Sequence, residues 1–252
     1  MSFEVSADHY RRFMGRYSGP LAARFADWVA LTSGQRVLDV GCGPGALTAI
    51  VVDRVGVEQV AAADPSASFV KSVRTQFPAM DVRRCAAEHM PFPDGSFDVV
   101  LAQLVVHFMA DPLAGITEMA RTAAAGGLVA ANVWDSAGGR GPLDPFWAAV
   151  RTLDPAVADE SGRPGTREGE LGQLFRDAGL TRVAASTLTV RVQHASFEDW
   201  WQPFTLGVGP AGTYLASLDD AGVRGVREGC QASLPHGRFM TQATAWTVSG
   251  RT

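Results

Sequence analysis

"RVLDVGCGPGALTAI", residues 36–50, decides how the chain is read. Apolar residues lead to Asp39, and glycines then fall at 41, 43 and 45, ahead of a stretch in which Leu47, Ile50, Val51 and Val55 share one helical face. A short buried strand, a tight turn and a helix fit that order. Gly41 lets the chain turn off the strand, and Gly43 lets backbone approach a ligand with no Cβ in the way. Gly45 permits the helix to start close by.

The same alternation continues outward. "QVAAAD" (59–64), "DVRRC" (81–85), "FDVVLAQ" (97–103) and "GLVAANVW" (127–134) read as further buried strands. Helical patterns lie between them, with Phe69, Val73 and Phe77 on one face and Leu113, Ile116 and Ala120 on another. Asp111-Pro112 supplies a cap and first turn. Strand–helix–strand repetition of this length predicts a doubly wound α/β fold with a mostly parallel sheet. "LGQLFRDAGL" (171–180) reads as a helix closed by Gly179. "RVAASTLTVRV" (182–192) and "RFMTQATAWTV" (238–248) read as long strands forming an antiparallel pair at one edge, which brings the sheet to seven strands. One domain is expected: an N-terminal helical cap (1–33), a core (34–135), and helical lid segments at 136–168 and 196–236. Ser196 and Asp199 make a capping-box-like start to the second lid.

Composition narrows the function. The chain has 252 residues, 46% apolar and 19% charged, as expected of a soluble globular protein, with no apolar run of membrane-spanning length. The stretch "MSFEVSADHYRRFMGRY" lacks the apolar centre of a signal peptide, which argues for the cytoplasm. Cys42, Cys85 and Cys230 are widely spaced, and the five histidines form no metal-ligand pair, so no metal is expected. A net charge of −4 argues against a nucleic-acid partner. Lys71 is the only lysine among 22 basic residues.

The ligand follows from the glycine turn. In an open parallel sheet, ligands bind beyond the carboxyl ends of the strands, beside the point where strand order reverses. Asp64 closes the second strand, where a carboxylate accepts from ribose hydroxyls. Gly41-x-Gly43-x-x-Ala46 also satisfies a dinucleotide fingerprint, which alone is weak. Asp39 places a carboxylate near the turn, and Pro44 removes one N–H that would cradle phosphate. A ligand with ribose, adenine, an ammonium and a sulfonium, but no phosphate, fits better: S-adenosyl-L-methionine.

"VLDVGCGPGALT" (37–48), "AADPS" (62–66), "AAEHMPFPDGSFDVVLAQLVVHFMADP" (86–112) and "LFRDAGL" (174–180) together resemble the class I S-adenosylmethionine-dependent methyltransferases, in the branch similar to ubiquinone- and menaquinone-biosynthesis enzymes. The resemblance is specific over residues 34–135. It implies methyl transfer by in-line displacement to a small-molecule acceptor, leaving S-adenosyl-L-homocysteine. Gly41, Cys42 and Gly43 are implied to pack along the methionyl part and ribose, with Asp39 near the ammonium. Asp64 is implied to take both ribose hydroxyls, Pro65 and Ser66 to line the adenine pocket, and Ala87 and Glu88 to flank the adenine edge. Gln103 and Leu104 are implied to sit by the methionyl chain. Ala86 stands where the family often has Asp, so the contact to the adenine amino group is lost, or comes from Glu88 or water.

The acceptor side is less defined. His107 is a candidate general base, with a structural or cofactor-contacting role as the alternative. Tyr17 either covers the sulfonium, touches the carboxylate, or simply packs its helix. Phe146, Trp147, Trp200 and Trp201 suit an apolar or aromatic acceptor, although at least two are expected in the core. A sulfonium already activates its methyl group, so positioning an acceptor atom at about 3–3.5 Å supplies much of the rate. Two other classes stay open: a non-catalytic S-adenosylmethionine-binding protein and a nicotinamide-dependent oxidoreductase.

Overall fold

The computed structural model describes residues 5–252. Seven strands form one sheet: β1 (Val37–Val40), β2 (Val60–Asp64), β3 (Asp81–Arg84), β4 (Phe97–Gln103), β5 (Ala123–Trp134), β6 (Thr181–His194) and β7 (Phe239–Arg251). Their order is β3-β2-β1-β4-β5-β7-β6. β1 to β5 are parallel, and β7 runs antiparallel to both β5 and β6. The two late strands therefore close one edge as an antiparallel pair, as their sequence suggests, with β7 inside and β6 at the rim.

Helices cover both faces. A first helix runs through α1 (Ala7–Tyr10), a π-helical turn at Arg11–Gly15, and α2 (Arg16–Trp28). Pro20 lies one turn beyond the wide turn; it cannot donate to the Arg16 carbonyl and its ring crowds that oxygen, a sufficient cause of irregular winding. The remaining helices are α3 (Ala46–Val55), α4 (Ala67–Gln76), α5 (Pro112–Thr122), α6 (Asp144–Leu153), α7 (Glu170–Asp177), α8 (Phe197–Trp201), α9 (Gly209–Ala216) and α10 (Asp220–Ser233). The predicted starts hold: Asp111 accepts from the N–H of Ala114 at 3.0 Å with Pro112 in the first turn, and Ser196 accepts from that of Asp199 at 3.3 Å.

Every residue of β1 and β2 is buried, which is why they read as continuous apolar runs rather than alternating ones. On one face Leu38, Val40 and Val100 pack against Ile116 and Met119 of α5 and Phe175 of α7. On the other, Val37, Val99 and Leu101 meet Phe25 of α2, Val51 of α3 and Val73 of α4. A third cluster fills the space under the lids, where Phe146 stacks on Phe204 at 4.8 Å and Trp200 lies 4.7 Å from the same ring. Phe146, Trp200 and Trp201 are thus core residues. No helix among the described residues is long and apolar enough to cross a membrane.

Candidate functional site

Strand order reverses at β1, which has β2 on one side and β4 on the other, so the loops after these strands diverge and leave a crevice. A cavity of about 230 Å³ opens there. Gly41 and Gly43 line it from the loop after β1, Asp64, Pro65 and Ser66 from the end of β2, and Ala86, Ala87 and Glu88 from beyond β3. Gln103 and Leu104 line it from the end of β4.

The three glycines differ in what surrounds them. All three have positive φ, +67°, +53° and +94°. A Cβ on Gly41 would stand 2.0 Å from Cγ2 of Val105, so this position is kept bare by a neighbouring loop as well as by its own turn. Around Gly43 a Cβ would meet nothing within 4 Å, so the bare backbone there faces open cavity.

Asp64 is the keystone of the loop. Its Oδ2 accepts from the N–H of Gly43 at 2.9 Å and its Oδ1 from that of Ser66 at 2.8 Å. It is only 6% exposed, and burial raises its pKa above the usual carboxylate range, opposed by those two bonds. A carboxylate oxygen has lone pairs beyond the one used, so both oxygens retain capacity toward hydroxyls in the cavity. Asp39 is more deeply placed, 1% exposed, and does not line the cavity. Its Oδ2 accepts from Thr48 Oγ1 at 2.6 Å, while Oδ1 is buried with no protein partner. Burial pushes its pKa up to about 7. Cys42 is likewise buried off the cavity, its N–H donating to the carbonyl of Ala63 at 3.0 Å, and burial raises its thiol pKa.

Glu88 has a second duty: its Oε1 accepts from the N–H groups of Ala110 and Asp111, at 2.8 and 3.2 Å, and so fixes the loop that leads into α5. Gln103 donates from Nε2 to the carbonyl of Ser18 at 3.0 Å, which ties β4 to α2 and leaves its buried Oε1 without a protein partner. Leu104 sits at φ +61°, a left-handed conformation that costs an ordinary residue energy and concentrates at functional sites.

Tyr17 does not reach the cavity. Its hydroxyl lies 3.0 Å from Thr241 Oγ1 and 3.4 Å from His194 Nε2, and Arg16 bonds the other ring nitrogen of His194 at 2.8 Å and Asp199 at 3.1 Å. Tyr17 therefore fastens α2 to β6 and β7. Tyr10 lines the cavity instead, its ring edge-on to Phe69 at 5.3 Å. Nearby, Arg11 donates to Ser72 Oγ at 2.6 Å and Ser68 Oγ to the carbonyl of Val5 at 2.8 Å, which bridges the N-terminal segment to α4. Phe69, Cys85, Phe108 and Met109 also line the cavity and were not singled out from sequence. Aromatic and thioether side chains at helical spacing read as ordinary packing, so only the fold reveals them.

His107 sits on a turn after β4 (Val106–Phe108), 6% exposed, beside the cavity rather than in it. Burial first, and the Arg163 guanidinium second, lower its pKa to about 3. An imidazole this reluctant to take a proton is a poor general base near neutrality, so the basic role expected from its position is not matched by its surroundings.

Comparison with known proteins agrees with this geometry. The family model "Methyltransferase domain" matches residues 38–131. A "Probable S-adenosylmethionine-dependent methyltransferase" of Mycolicibacterium smegmatis is 30% identical over 179 residues, 67% of this chain and 68% of that protein. An "Uncharacterized methyltransferase" of Mycobacterium tuberculosis is 35% identical over 136 residues, 54% of this chain and 53% of its own length. The chain thus spans about half the length of several curated relatives it matches. The chain belongs to the class I S-adenosylmethionine-dependent methyltransferases, in the type 11 branch. Among solved structures, a geranyl diphosphate C-methyltransferase from Streptomyces coelicolor A3(2) has the same fold, with a TM-score of 0.54 and 14% identity over 94% of this chain and 80% of that one.

Proposed function

We propose that the chain transfers a methyl group from S-adenosyl-L-methionine to a small-molecule acceptor. The observation that carries this reading is the convergence of Gly43, Asp64 and Gln103, from the ends of three adjacent strands, on one cavity at the strand-order reversal. Family membership supports the donor, and the open space over Gly43 and the uncommitted lone pairs of Asp64 fit its ribose. When bound, the donor supplies a methyl group already activated by its sulfonium.

The chain's own residues then have the tasks of holding and shielding. Asp64 receives the ribose hydroxyls while keeping the loop after β1 in place through Gly43. Pro65 and Ser66, with Ala87 and Glu88, border the adenine; Ala86 offers it no acceptor, which leaves Glu88 or water for the amino group. Leu104 and Gln103 flank the methionyl chain. Asp39 acts from behind the loop through its unpaired Oδ1 and a bridging water. Residues 34–135 hold the donor, and the segments at 136–168 and 196–236, with the N-terminal cap, exclude water and build the acceptor side; residues 1–4 of that cap lie outside the described residues.

The nicotinamide reading has less support. The sole lysine, Lys71, is exposed on α4 and does not line the cavity, so no tyrosine–lysine pair forms there. Calorimetric titration with S-adenosyl-L-methionine, S-adenosyl-L-homocysteine and NAD tests the donor. Binding of the two adenosyl compounds alone is expected; binding of NAD alone would overturn the assignment. A non-catalytic binder would take the donor yet fail to turn over any of a panel of acceptors.

A further inference from the structure

A recess adjoins the donor cavity and shares Tyr10, Leu104 and Phe108 with it. Its walls are mostly apolar, from Met14, Leu143 and Trp147, yet it collects polar atoms with nothing to bond. Nδ1 of His107, Nε1 of Trp134 and Oδ2 of Asp144 are all buried and without a hydrogen-bond partner in the protein, and all three residues line the recess. They arrive from three separate elements: the turn after β4, the end of β5 and the first turn of α6. His107 and Trp134 are 6% and 5% exposed. Leaving one buried polar group unpaired is costly, and three around one small space call for a polar occupant, water until a ligand group displaces it.

The chemistry of that ligand follows from the set. Trp134 Nε1 only donates, a carboxylate oxygen only accepts, and His107 does either according to tautomer. No lysine or arginine lines the recess, whereas Asp144 and Glu160 both do, and Glu160 is already engaged by Nε1 of Trp147 at 3.2 Å. A carboxylate entering here would meet two acids in the wall, while the Arg163 guanidinium lies over the Phe108 ring at 4.8 Å and is not part of the lining. A hydroxyl would give its hydrogen to Asp144 and accept from Trp134. We propose that this recess is the reacting end of the acceptor site, that it selects an uncharged hydroxyl- or enol-bearing group over a carboxylate, and that Asp144 is the residue that makes the selection. The inference rests on the methyl-donor reading of the adjoining cavity.

Size and charge state agree with the assignment. The recess measures about 30 Å³, room for a hydroxyl and its immediate carbon but not for a ring, so the body of the ligand lies across Tyr10, Leu104 and Phe108 toward the donor cavity. Burial pushes the pKa of Asp144 up to about 7; a hydrogen bond from the Gly141 backbone, and then the Arg151 guanidinium, oppose the rise, and Asp135 and Asp159 add to it. His107 and Glu160 face the same recess, and burial is the largest influence on each, lowering the first and raising the second. Asp144 therefore changes charge near neutrality, and discrimination against a carboxylate grows as it ionises.

The test uses fluorine NMR on the full chain with 4-fluorophenol and 4-fluorobenzoate, first alone and then with S-adenosyl-L-homocysteine. At pH 8, with Asp144 ionised, the wild type is expected to prefer the phenol by roughly tenfold or more, the size of effect a charged hydrogen bond supports. Asp144→Asn should bring the ratio close to one while leaving S-adenosyl-L-homocysteine affinity and Tm unchanged. Should that variant fold poorly, the wild-type ratio measured from pH 5.5 to 8.5 replaces it, and it should climb through about pH 7. No phenol binding, equal binding of the two probes, a flat pH profile, or an unaltered ratio in the variant would each overturn the proposal. Donor-site failure reads out separately: a chain that binds S-adenosyl-L-homocysteine but shows no preference keeps its methyltransferase reading and loses this one. A chain that prefers the phenol but binds no adenosyl compound keeps the recess and loses the donor.

Discussion

Gly41→Ala probes the close packing beneath the candidate site. Two costs add. The residue sits at φ +67°, where an L side chain costs about 1–2 kcal/mol. The new Cβ would also lie 2.0 Å from Val105 Cγ2 and within 3 Å of two more Val105 carbons, so loop or strand must move. Overpacking of this kind costs about 1–3 kcal/mol, for a total of about 2–5 kcal/mol. The second cost belongs to Val105 and the first does not. In a double-mutant cycle, Val105→Ala removes Cγ1 and Cγ2 but keeps Cβ 2.8 Å from the new carbon, so it should recover part of the packing cost and leave a loss above the backbone cost of about 1–2 kcal/mol. Urea denaturation of the four proteins, followed by tryptophan fluorescence at constant slope, measures each value. A loss below about 0.5 kcal/mol for the single variant would mean that the loop is not held as described, given that surface changes fall in that range. Absence of coupling with Val105 would refute the steric account even if the single loss were large.

Three further outcomes are expected. Gly43→Ala has no clash to relieve, so its stability should fall by only about 1–2 kcal/mol while S-adenosyl-L-homocysteine affinity drops much further; calorimetry showing unchanged affinity would mean the space over Gly43 is not ligand space. Asp64→Ala should weaken the same ligand by about 1.5–3 kcal/mol, as for lost bonds to a charged acceptor, and an unchanged dissociation constant would sink the ribose assignment. For Asp39, with a folded pKa of about 7 against an ordinary 3.8, the folded state keeps a proton that the unfolded chain has released. Its contribution to stability is complete below about pH 4 and disappears as pH rises through 7. Asp39→Asn should flatten that part of the stability–pH curve, and denaturation midpoints between pH 4 and 8 would show an unaltered slope if the carboxyl were ionised throughout.

The sheet was readable because burial on both faces writes strands as unbroken apolar runs. "VLDV" and "VAAAD" allow little else, and the caps at Asp111 and Ser196 are local signals that survive folding. The lining of the cavity beyond β1 and β2 was legible for a related reason: Gly43, Asp64 and Ser66 stand at or just past strand ends, and chain direction places them on the crevice. The acceptor side was not. Trp134, Asp144 and His107 converge through tertiary packing of three elements far apart in sequence, and no local pattern brings them together. Tyr17 packs its helix, one of the roles its sequence allowed, and the place of Tyr10 in the cavity was not legible. A regular helix gives no sign that one turn is wound wide, and that turn decides which tyrosine meets the cavity.

The wide turn at Arg11–Gly15 has a consequence for how this chain can change. A regular helix rotates about 100° per residue, so a wider turn swings everything before it around the axis relative to everything after. Leu21 and Phe25 anchor the later half in the core, and Tyr10 is aimed by counting back from them. Loss of a single residue between 11 and 15 would rotate the ring off the boundary between donor cavity and acceptor recess without altering one contact in the sheet. Spacing, rather than identity, is then the quantity that variation in this segment acts upon. A chain could exchange one acceptor geometry for another by insertion or deletion in this turn, ahead of the bonds at Ser18, Tyr17 and Arg16 that hold α2 to the strand ends.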